Sequence, residues 1–431
     1  MEKLSTRPYK GTRDFYPEEM RLRNWFFGKI RHTLGLCAYE EYGGPMLESL
    51  DLYIAKSGEE IACEQTYNFT DRGGRRLAVR PEMTPTVARM VAAKIGELNM
   101  PLKWFSIPNL YRYERPQRGR LREHWQVNVD VFGCDSTDAD LEVISTAVAI
   151  LRDFGADETM FKVHINNRRY FNDVIAEICG FDAEGSRKVS KVVDRKNKIP
   201  REEYEKELCE LGLDGEKIAK IDSLYKASVA EAVALCPEST GAKELSALFE
   251  VLRETGFDKY CVFDFGIIRG LDYYTGTVFE VFDEAPENNR AMFGGGRYDN
   301  LVGLFVKNAN VSGVGFGFGD VTLENFLVTH NLVPNLGKDA LKVLVARFDD
   351  VPVEKYMKIA ETLRNNGITA GVYTGIKKFG KQIDYAVKGG YTHVVIMGGD
   401  ELATGKVKIK NLATHEETVC DADKVAETLG A

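Results

Sequence analysis

Apolar residues at Leu22, Trp25, Phe26 and Ile30 recur at the spacing of one helix face, and Pro17, Glu18 and Glu19 stand where a helix start favours proline and negative charge. The pattern predicts an amphipathic helix over residues 18–35, then an extended segment from Tyr39 that the Gly43-Gly44-Pro45 break ends. From Leu77 to Phe132 strands alternate with polar turns. Within this stretch Val127-Asn128-Val129-Asp130-Val131 alternates with period two, which predicts a strand with two distinct faces. Residues 170–256 read as mostly helical, Lys- and Glu-rich and poor in strand signals, an inserted helical module. Asn331, Pro334, Asn335 and Gly337 mark an interdomain linker within 328–340. Beyond it Leu341–Ala346, Ile368–Tyr373 and Val394–Met397 read as strands, and Tyr356, Ile359, Ala360 and Leu363 share one helix face, a small α/β domain able to fold separately.

At 431 residues, 44% hydrophobic and 28% charged, the chain has the composition of an ordinary globular protein of two or three domains. Its eight cysteines include no C-x-x-C pair, so neither a zinc site nor a disulfide framework is indicated, and a reducing compartment fits. No apolar run approaches the roughly 18 residues that span a bilayer, and the first residues carry no apolar signal core, so a cytoplasmic protein with no membrane contact is expected. The net charge of −8 argues against a protein that coats nucleic acid. Local charge differs. Five arginines oppose one glutamate between Arg112 and Arg122, and Arg187, Lys188, Lys191, Arg195, Lys196 and Lys198 are opposed in sequence by Asp194. Such patches suit a selective, releasable RNA partner, the alternative being ordinary solvated faces.

Three segments carry the chemistry: Leu110-Tyr111-Arg112-Tyr113-Glu114-Arg115-Pro116-Gln117-Arg118-Gly119-Arg120, Ile267-Ile268-Arg269-Gly270-Leu271-Asp272-Tyr273-Tyr274-Thr275-Gly276, and Gly294-Gly295-Gly296-Arg297-Tyr298-Asp299. Together they resemble the histidyl-tRNA synthetases, a family of class II aminoacyl-tRNA synthetases, and the resemblance runs over nearly the whole chain. It implies an α+β fold: an antiparallel-sheet catalytic domain in two parts, 1–169 with motifs 1 and 2 and 257–330 with the histidine-specific segments and motif 3, a helical insertion over 170–256, and an anticodon-binding α/β domain over 338–431. In the last, Gln382, Asp384 and Tyr385 match the family, and Lys406, Lys408 and Lys410 alternate along one strand face. It also implies a homodimer built through the N-terminal helix and strand, and a reaction in which histidine and Mg2+-bound ATP give histidyl-adenylate before the histidyl group passes to tRNA(His).

Activation needs a cation at the α-phosphate, and a planar guanidinium can hold two oxygens at once. By resemblance Arg112 and Arg269 are the catalytic pair and bind ATP together with Glu114 and Arg120. Glu82 and Thr84, read as two residues apart on one strand face, and Gln126 hold the histidine ammonium group; the other reading is that Thr84-Pro85-Thr86 opens a helix with Glu82 as its N-terminal acid. Asp130 and Tyr274 address the imidazole nitrogens, with Tyr273 and Tyr298 beside them. Many family members carry Glu at the place of Asp130. Gln117 and Arg122, in the loop from Glu114 to Glu123, reach tRNA. No metal ligands are expected on the protein itself. One departure stands out: motif 3 of the family ends Gly-x-Gly-x-Glu-Arg, its arginine on the ATP γ-phosphate, and here Thr322 takes that place. Either another cation, Arg115 or Arg120, compensates, or ATP binding is weakened, and the missing arginine favours a rival reading, a silent paralogue such as the histidine-sensing regulatory subunit of ATP phosphoribosyltransferase.

Overall fold

The computed structural model describes residues 4–57, 63–117, 119–193, 195–196, 199–268, 274–288, 290–307, 310–336, 341–375 and 377–430. The chain divides into two compact units, Met1–Val333 and Pro334–Ala431.

In the first unit helix α1 (Pro17–Leu36) starts at its proline with Glu18 and Glu19 in the first turn, as the spacing predicts, and buries Phe26, Phe27, Ile30 and Leu34. The strand β1 (Glu40–Glu41) follows, then β2 (Leu47–Ser49), α2 (Leu50–Ser57), β3 (Tyr67–Thr70) and β4 (Arg76–Val79), whose three strands form a small antiparallel sheet. Next come α3 (Thr84–Ala93), β5 (Leu102–Ser106), β6 (Asn109–Tyr111), β7 (Glu123–Phe132), α4 (Thr137–Asp153) and β8 (Phe161–Asn167). The helices α5 (Arg168–Cys179), α6 (Ala183–Val193), α7 (Arg201–Glu210), α8 (Gly215–Leu224), α9 (Val229–Ala234) and α10 (Thr240–Glu254) precede β9 (Cys261–Phe263), β10 (Thr277–Asp283), β11 (Ala291–Tyr298), β12 (Gly313–Gly319) and α11 (Asp320–Thr329).

The main sheet runs β1-β5-β7-β12-β11-β10-β8-β9, with β6 paired to β7. Its outer pairs, β1 with β5 and β8 with β9, are parallel, and the inner pairs are antiparallel. The alternation on β7 does make two faces, but both are buried. Val127, Val129 and Val131 join Phe316 and Phe318 of β12 in the large core under α1 and α4. Asn128 and Asp130 on the other face are equally enclosed, beside a second cluster formed by Phe132, Tyr274, Tyr298 and residues of α3.

Two other readings change. The linker expected from residue 328 begins later, because α11 continues through Thr329 and Leu332 and Val333 pack on the first core; residues 337–340 lie outside the described residues. The basic run of the helical module is partly neutralised by partners distant in sequence: Arg195 pairs with Glu207, and Lys196 meets Asp222 at 2.8 Å, while Lys188 meets Glu184 at 2.9 Å within its own helix. Sequence order could not show the first two pairings, which folding of the module creates. Asp194 and Lys198 lie outside the described residues.

The second unit is a five-stranded sheet, β14-β13-β15-β16-β17, built from β13 (Lys342–Val345), α12 (Val353–Asn365), β14 (Thr369–Val372), α13 (Phe379–Lys388), β15 (His393–Ile396), α14 (Gly399–Thr404), β16 (Lys406–Asn411), β17 (Glu417–Asp421) and α15 (Val425–Thr428). Tyr356, Ile359, Ala360 and Leu363 form the buried face of α12. On β16 Val407 and Ile409 point inward, and Lys408 and Lys410 reach Glu417 at 3.8 and 2.9 Å. Gln382 is fully buried, accepting from Arg347 N at 2.9 Å and donating to Arg347 O and Lys377 O at 2.6 and 2.9 Å, so it fastens the start of α13 and contacts no surface ligand. Among the described residues no helix is long and apolar enough to cross a membrane.

A buried ion pair sits in the first unit. Arg297 on β11 extends to Asp140 on α4, donating from Nε at 3.1 Å and Nη2 at 2.5 Å, and caps the carbonyls of Cys134 at 2.9 Å and Ser136 at 2.7 Å. Its side chain is 4% exposed and that of Asp140 1%. A guanidinium removed from water is stable only while its donors are matched. Asp140→Ala is expected to cost about 3–5 kcal/mol, the range for removing one partner of a buried pair, and Asp140→Asn less; chemical denaturation of the two variants against wild type measures this.

Candidate active site

Register places Gly294 and Gly296 of β11 opposite Gly317 and Gly315 of β12, which in turn face Asn128 and Asp130 of β7. Because side chains alternate along a strand, these residues share one face of the sheet, with Gln126 beside them. Glu280 and Val278 of β10 continue it, opposite Gly294 and Gly296. The reverse face carries Phe316, Phe318, Val127 and Val129 and is closed by core. The site face is floored by glycine instead. A Cβ at Gly315 would collide with Asp130 Oδ1 and Val129 O, one at Gly317 would come within 2.7 Å of the Gln126 amide, and one at Gly296 within 2.8 Å of the Tyr274 ring. The glycines therefore leave the only room in which these side chains can lie across the sheet.

Asp130 is the buried carboxylate of this face. The Tyr298 hydroxyl donates to its Oδ1, and its Oδ2 is buried with no hydrogen-bond partner among the described residues. Burial pushes its pKa up to about 7, and the Tyr298 hydrogen bond opposes that rise. Tyr274 and Tyr298 are both buried and belong to one apolar cluster with Val278, Ile267 and, at its margin, Trp104 and Tyr42. The tyrosines are thus packing residues as well as polar ones, and Asp130 sits at the edge of an apolar, aromatic cluster.

Glu82 and Thr84 do not share a strand face. Thr84 is the first residue of α3, with Pro85 at the position where a missing N–H costs the helix nothing, and Glu82 lies in the irregular stretch before it. The proline decides the outcome over the strand-like alternation. Arg80 braces that turn from beneath, donating from Nη1 to Gly44 O at 2.7 Å and from Nε to Asn109 O at 3.0 Å.

Arg112 follows β6, and its Nε donates to Pro81 O at 3.0 Å, which holds the guanidinium beside the Glu82 turn. Near it on β7 is His124, whose pKa burial lowers to about 3, assisted by the charges of Arg112, Arg13 and Arg120, so the ring stays neutral at physiological pH. Sequence reasoning singled out neither His124 nor Arg13, which lie outside any pattern with a chemical signature. Arg122, expected to reach tRNA, is engaged inside the chain: it donates to Glu114 O at 3.0 Å and to the Tyr9 hydroxyl at 2.5 Å, and stacks 4.8 Å from the Tyr113 ring centre. It shapes the loop. Arg120 meets Glu114 at 2.5 Å, and Gln117 pairs across a tight turn with Arg120. Arg118 lies outside the described residues.

Gln117, Gly119 and Arg120 form one wall of a cavity of about 1100 Å3, completed by Asp264, Ile267, Glu280, Phe282, Arg290, Met292 and Thr322. The cavity thus joins the Arg112 loop, the sheet face at Glu280 and the third motif. Arg269 and Tyr273 lie outside the described residues, but the flanks of their segment are anchored. Arg168 donates from Nη1 to Ile268 O at 3.0 Å and from its backbone to Gly276 O at 2.8 Å. Thr275 donates to Asp299 at 2.5 Å, Arg169 donates to the same carboxylate at 3.1 Å, and Arg169 also pairs with Glu244 of the helical module.

The raised pKa of Asp130 fixes the sign of a pH effect. Between about pH 4 and 7 the unfolded chain has lost this proton and the folded one has kept it, so folding stability falls as pH rises through that window and levels off above it. Thermal midpoints at about pH 5 and pH 7.5 are expected to show wild type losing stability relative to Asp130→Asn on going to the higher pH.

The histidyl-tRNA synthetase profile matches residues 11–320, and an anticodon binding domain profile matches 341–431. A histidine–tRNA ligase of Leptospira biflexa is 47% identical over 422 residues, covering 96% of this chain and 95% of that one. The chloroplastic/mitochondrial histidine–tRNA ligase of Arabidopsis thaliana is 36% identical over 96% of this chain and 85% of its own length. Among solved structures, histidyl-tRNA synthetase from Nostoc superposes with a TM-score of 0.81 at 26% identity and 99% coverage of both chains. A Bacillus halodurans protein described as an ATP phosphoribosyltransferase regulatory subunit/histidyl-tRNA synthetase shares the fold, at 22% identity and a TM-score of 0.74, over 89% of this chain. On sequence over nearly its full length, and with both domains matched, this chain belongs to the histidyl-tRNA synthetase family.

Proposed function

We propose that the chain is a histidine–tRNA ligase that activates histidine with ATP and transfers the histidyl group to the 3′ end of tRNA(His). The observation that carries this reading is Asp130: a buried carboxylate with one oxygen taken by Tyr298 and the other without a donor among the described residues, at an aromatic cluster beside a glycine floor. An imidazole N–H is a donor of the right kind, and a site that leaves a buried acceptor unmatched rejects amino acids without one. Asp130 and Tyr274 then read the imidazole, Tyr298 orients Asp130, and Tyr273 stands beside them. Glu82, Thr84 and Gln126 receive the ammonium group. Arg112, held by Pro81 O, and Arg269 stabilise charge on the α-phosphate as the carboxylate attacks. Glu114 and Arg120 border the nucleotide.

Mg2+ enters this scheme with the triphosphate. Among the described residues no group of three or more His, Cys, Asp or Glu is placed to hold a metal by itself, and Glu280 offers one carboxylate in the cavity, the arrangement that suits an ion bridging protein and phosphates. Gln117 lies at the tip of the loop that would meet the acceptor end of tRNA(His), with Arg122 setting the loop's shape. The working protein is a cytoplasmic homodimer. The regulatory-subunit alternative gains support from Thr322, but full-length likeness to ligases and the matched anticodon-binding domain favour the enzyme.

Histidine-dependent ATP–pyrophosphate exchange tests the activity. Exchange is expected with histidine and with none of the other nineteen amino acids. Arg112→Gln is expected to lower it by roughly 10²–10³-fold, as for loss of one transition-state charge contact, with folding unchanged. Histidine binding without exchange in wild type would favour the regulatory reading.

A further inference from the structure

We propose that Arg290, acting with Arg120, binds the β- and γ-phosphates of ATP on the wall where Thr322 stands. The proposal rests on the ligase reading and assigns a residue that the sequence pattern left aside. Thr322 cannot serve a polyanion itself: its hydroxyl faces main-chain carbonyls, Met292 O at 2.8 Å and Gly319 O at 3.1 Å, and a hydroxyl has one hydrogen to donate. Its methyl lies against the arginine-bearing loop, where a Cβ on Gly119 would be 3.9 Å away. Among the described residues lining the cavity, the cations are Arg120 and Arg290.

Arg290 stands just before β11, is exposed at the cavity rim, and makes a long contact from Nη2 to Gln117 Oε1 at 3.4 Å. That contact bridges the β10–β11 turn and the Arg112 loop across the mouth, and at 3.4 Å it is weak enough for a phosphate oxygen to replace. Arg120, on the same wall, meets Glu114 at 2.5 Å through Nε. A guanidinium has five N–H donors, so one carboxylate leaves donors for an anion. The neighbouring carboxylates do not cancel this pair. Asp283 is taken by His330 at 2.8 Å, Asn288 at 2.7 Å and Ala285 N at 2.8 Å, and Asp264 by His164 and Gly266 N, each at 2.8 Å. Glu287 is exposed, and Glu280 lies on the sheet face where an ion carried by the phosphates would meet it.

The test compares ATP with AMP, which has the same nucleoside and α-phosphate but lacks the two groups in question. In calorimetric titrations Arg290→Gln is expected to weaken ATP by roughly 10- to 100-fold, the range for losing a hydrogen bond to a charged group, and to leave AMP unchanged. Arg290→Lys, which keeps the charge but not the fork, should fall between. In exchange assays the KM for ATP and for pyrophosphate should rise while that for histidine holds. Arg290 is exposed, so the thermal midpoint reports any folding defect separately. Equal ATP affinity in wild type and Arg290→Gln, or equal losses for ATP and AMP, would overturn the proposal. Absence of histidine-dependent exchange in wild type would instead sink the ligase reading, and the ATP–AMP comparison still decides the phosphate contact.

Discussion

The close approach of β11 and β12 through their glycines is the constraint on which the site depends. On the core face a Cβ at Gly295 would collide with Gly315 O and crowd Phe316, so even there the strands tolerate no side chain. On the site face Gly294, Gly296, Gly315 and Gly317 form a floor without side chains between β7 and β10. Glycine in a strand weakens it, because it costs more backbone entropy and packs nothing. Here the loss is offset from behind. Phe293 stacks on Phe318 with ring centres 3.9 Å apart, and Phe279 and Phe316 join the same core. One face of the sheet supplies cohesion so that the other can be left open for ligand.

Charge is arranged on the same plan. Arg297 is inside a segment that looks functional, yet it is spent on Asp140 and two carbonyls and secures β11 to α4. The next acidic residue, Asp299, continues the network through Arg169 to Glu244, and so links the helical module to Thr275, at the exit of the Arg269 segment. On the opposite side Arg13 pairs with Asp320 at 2.7 Å, and Asp320 also accepts from Trp125 N at 3.0 Å, which ties the N-terminal stretch to the start of α11 and to β7. Arg23 lies 3.3 Å from the Trp125 ring centre. These pairs tie together the elements that present Arg112, Asp130 and the cavity. The role proposed for Asp130 needs rigidity, because a carboxylate that could swing to water would not discriminate between side chains.

Much of the fold was legible. The helix at residues 18–35, the helical module and the α/β grammar of the C-terminal unit rest on periodicity over long stretches, where many residues repeat one signal. Short segments were less secure. Glu82 and Thr84 read as a strand pair by alternation, but one proline outweighed the pattern because it fixes φ and suits a helix start. Gln382 matched the family by sequence and Arg122 read as reaching tRNA; Gln382 is fastened inside its unit, and two of the Arg122 donors are engaged within the chain. The basic run after Arg187 read as open charge, and Glu207 and Asp222, distant in sequence, answer part of it.

What the sequence determined by itself is the kind of chemistry: the arginine, tyrosine and glycine segments, each long enough to be specific, place the chain in its family and name Arg112, Asp130 and Tyr298. What only the tertiary structure decided is which charges remain available. Arg297 is consumed by Asp140 and Arg122 by the loop it closes, while Arg290, in no motif, faces the cavity beside Thr322. The reason is physical. Residue identity follows from local order along the chain, but a charge is free or spent according to its neighbours in space, and those are set by pairings across tens to hundreds of residues.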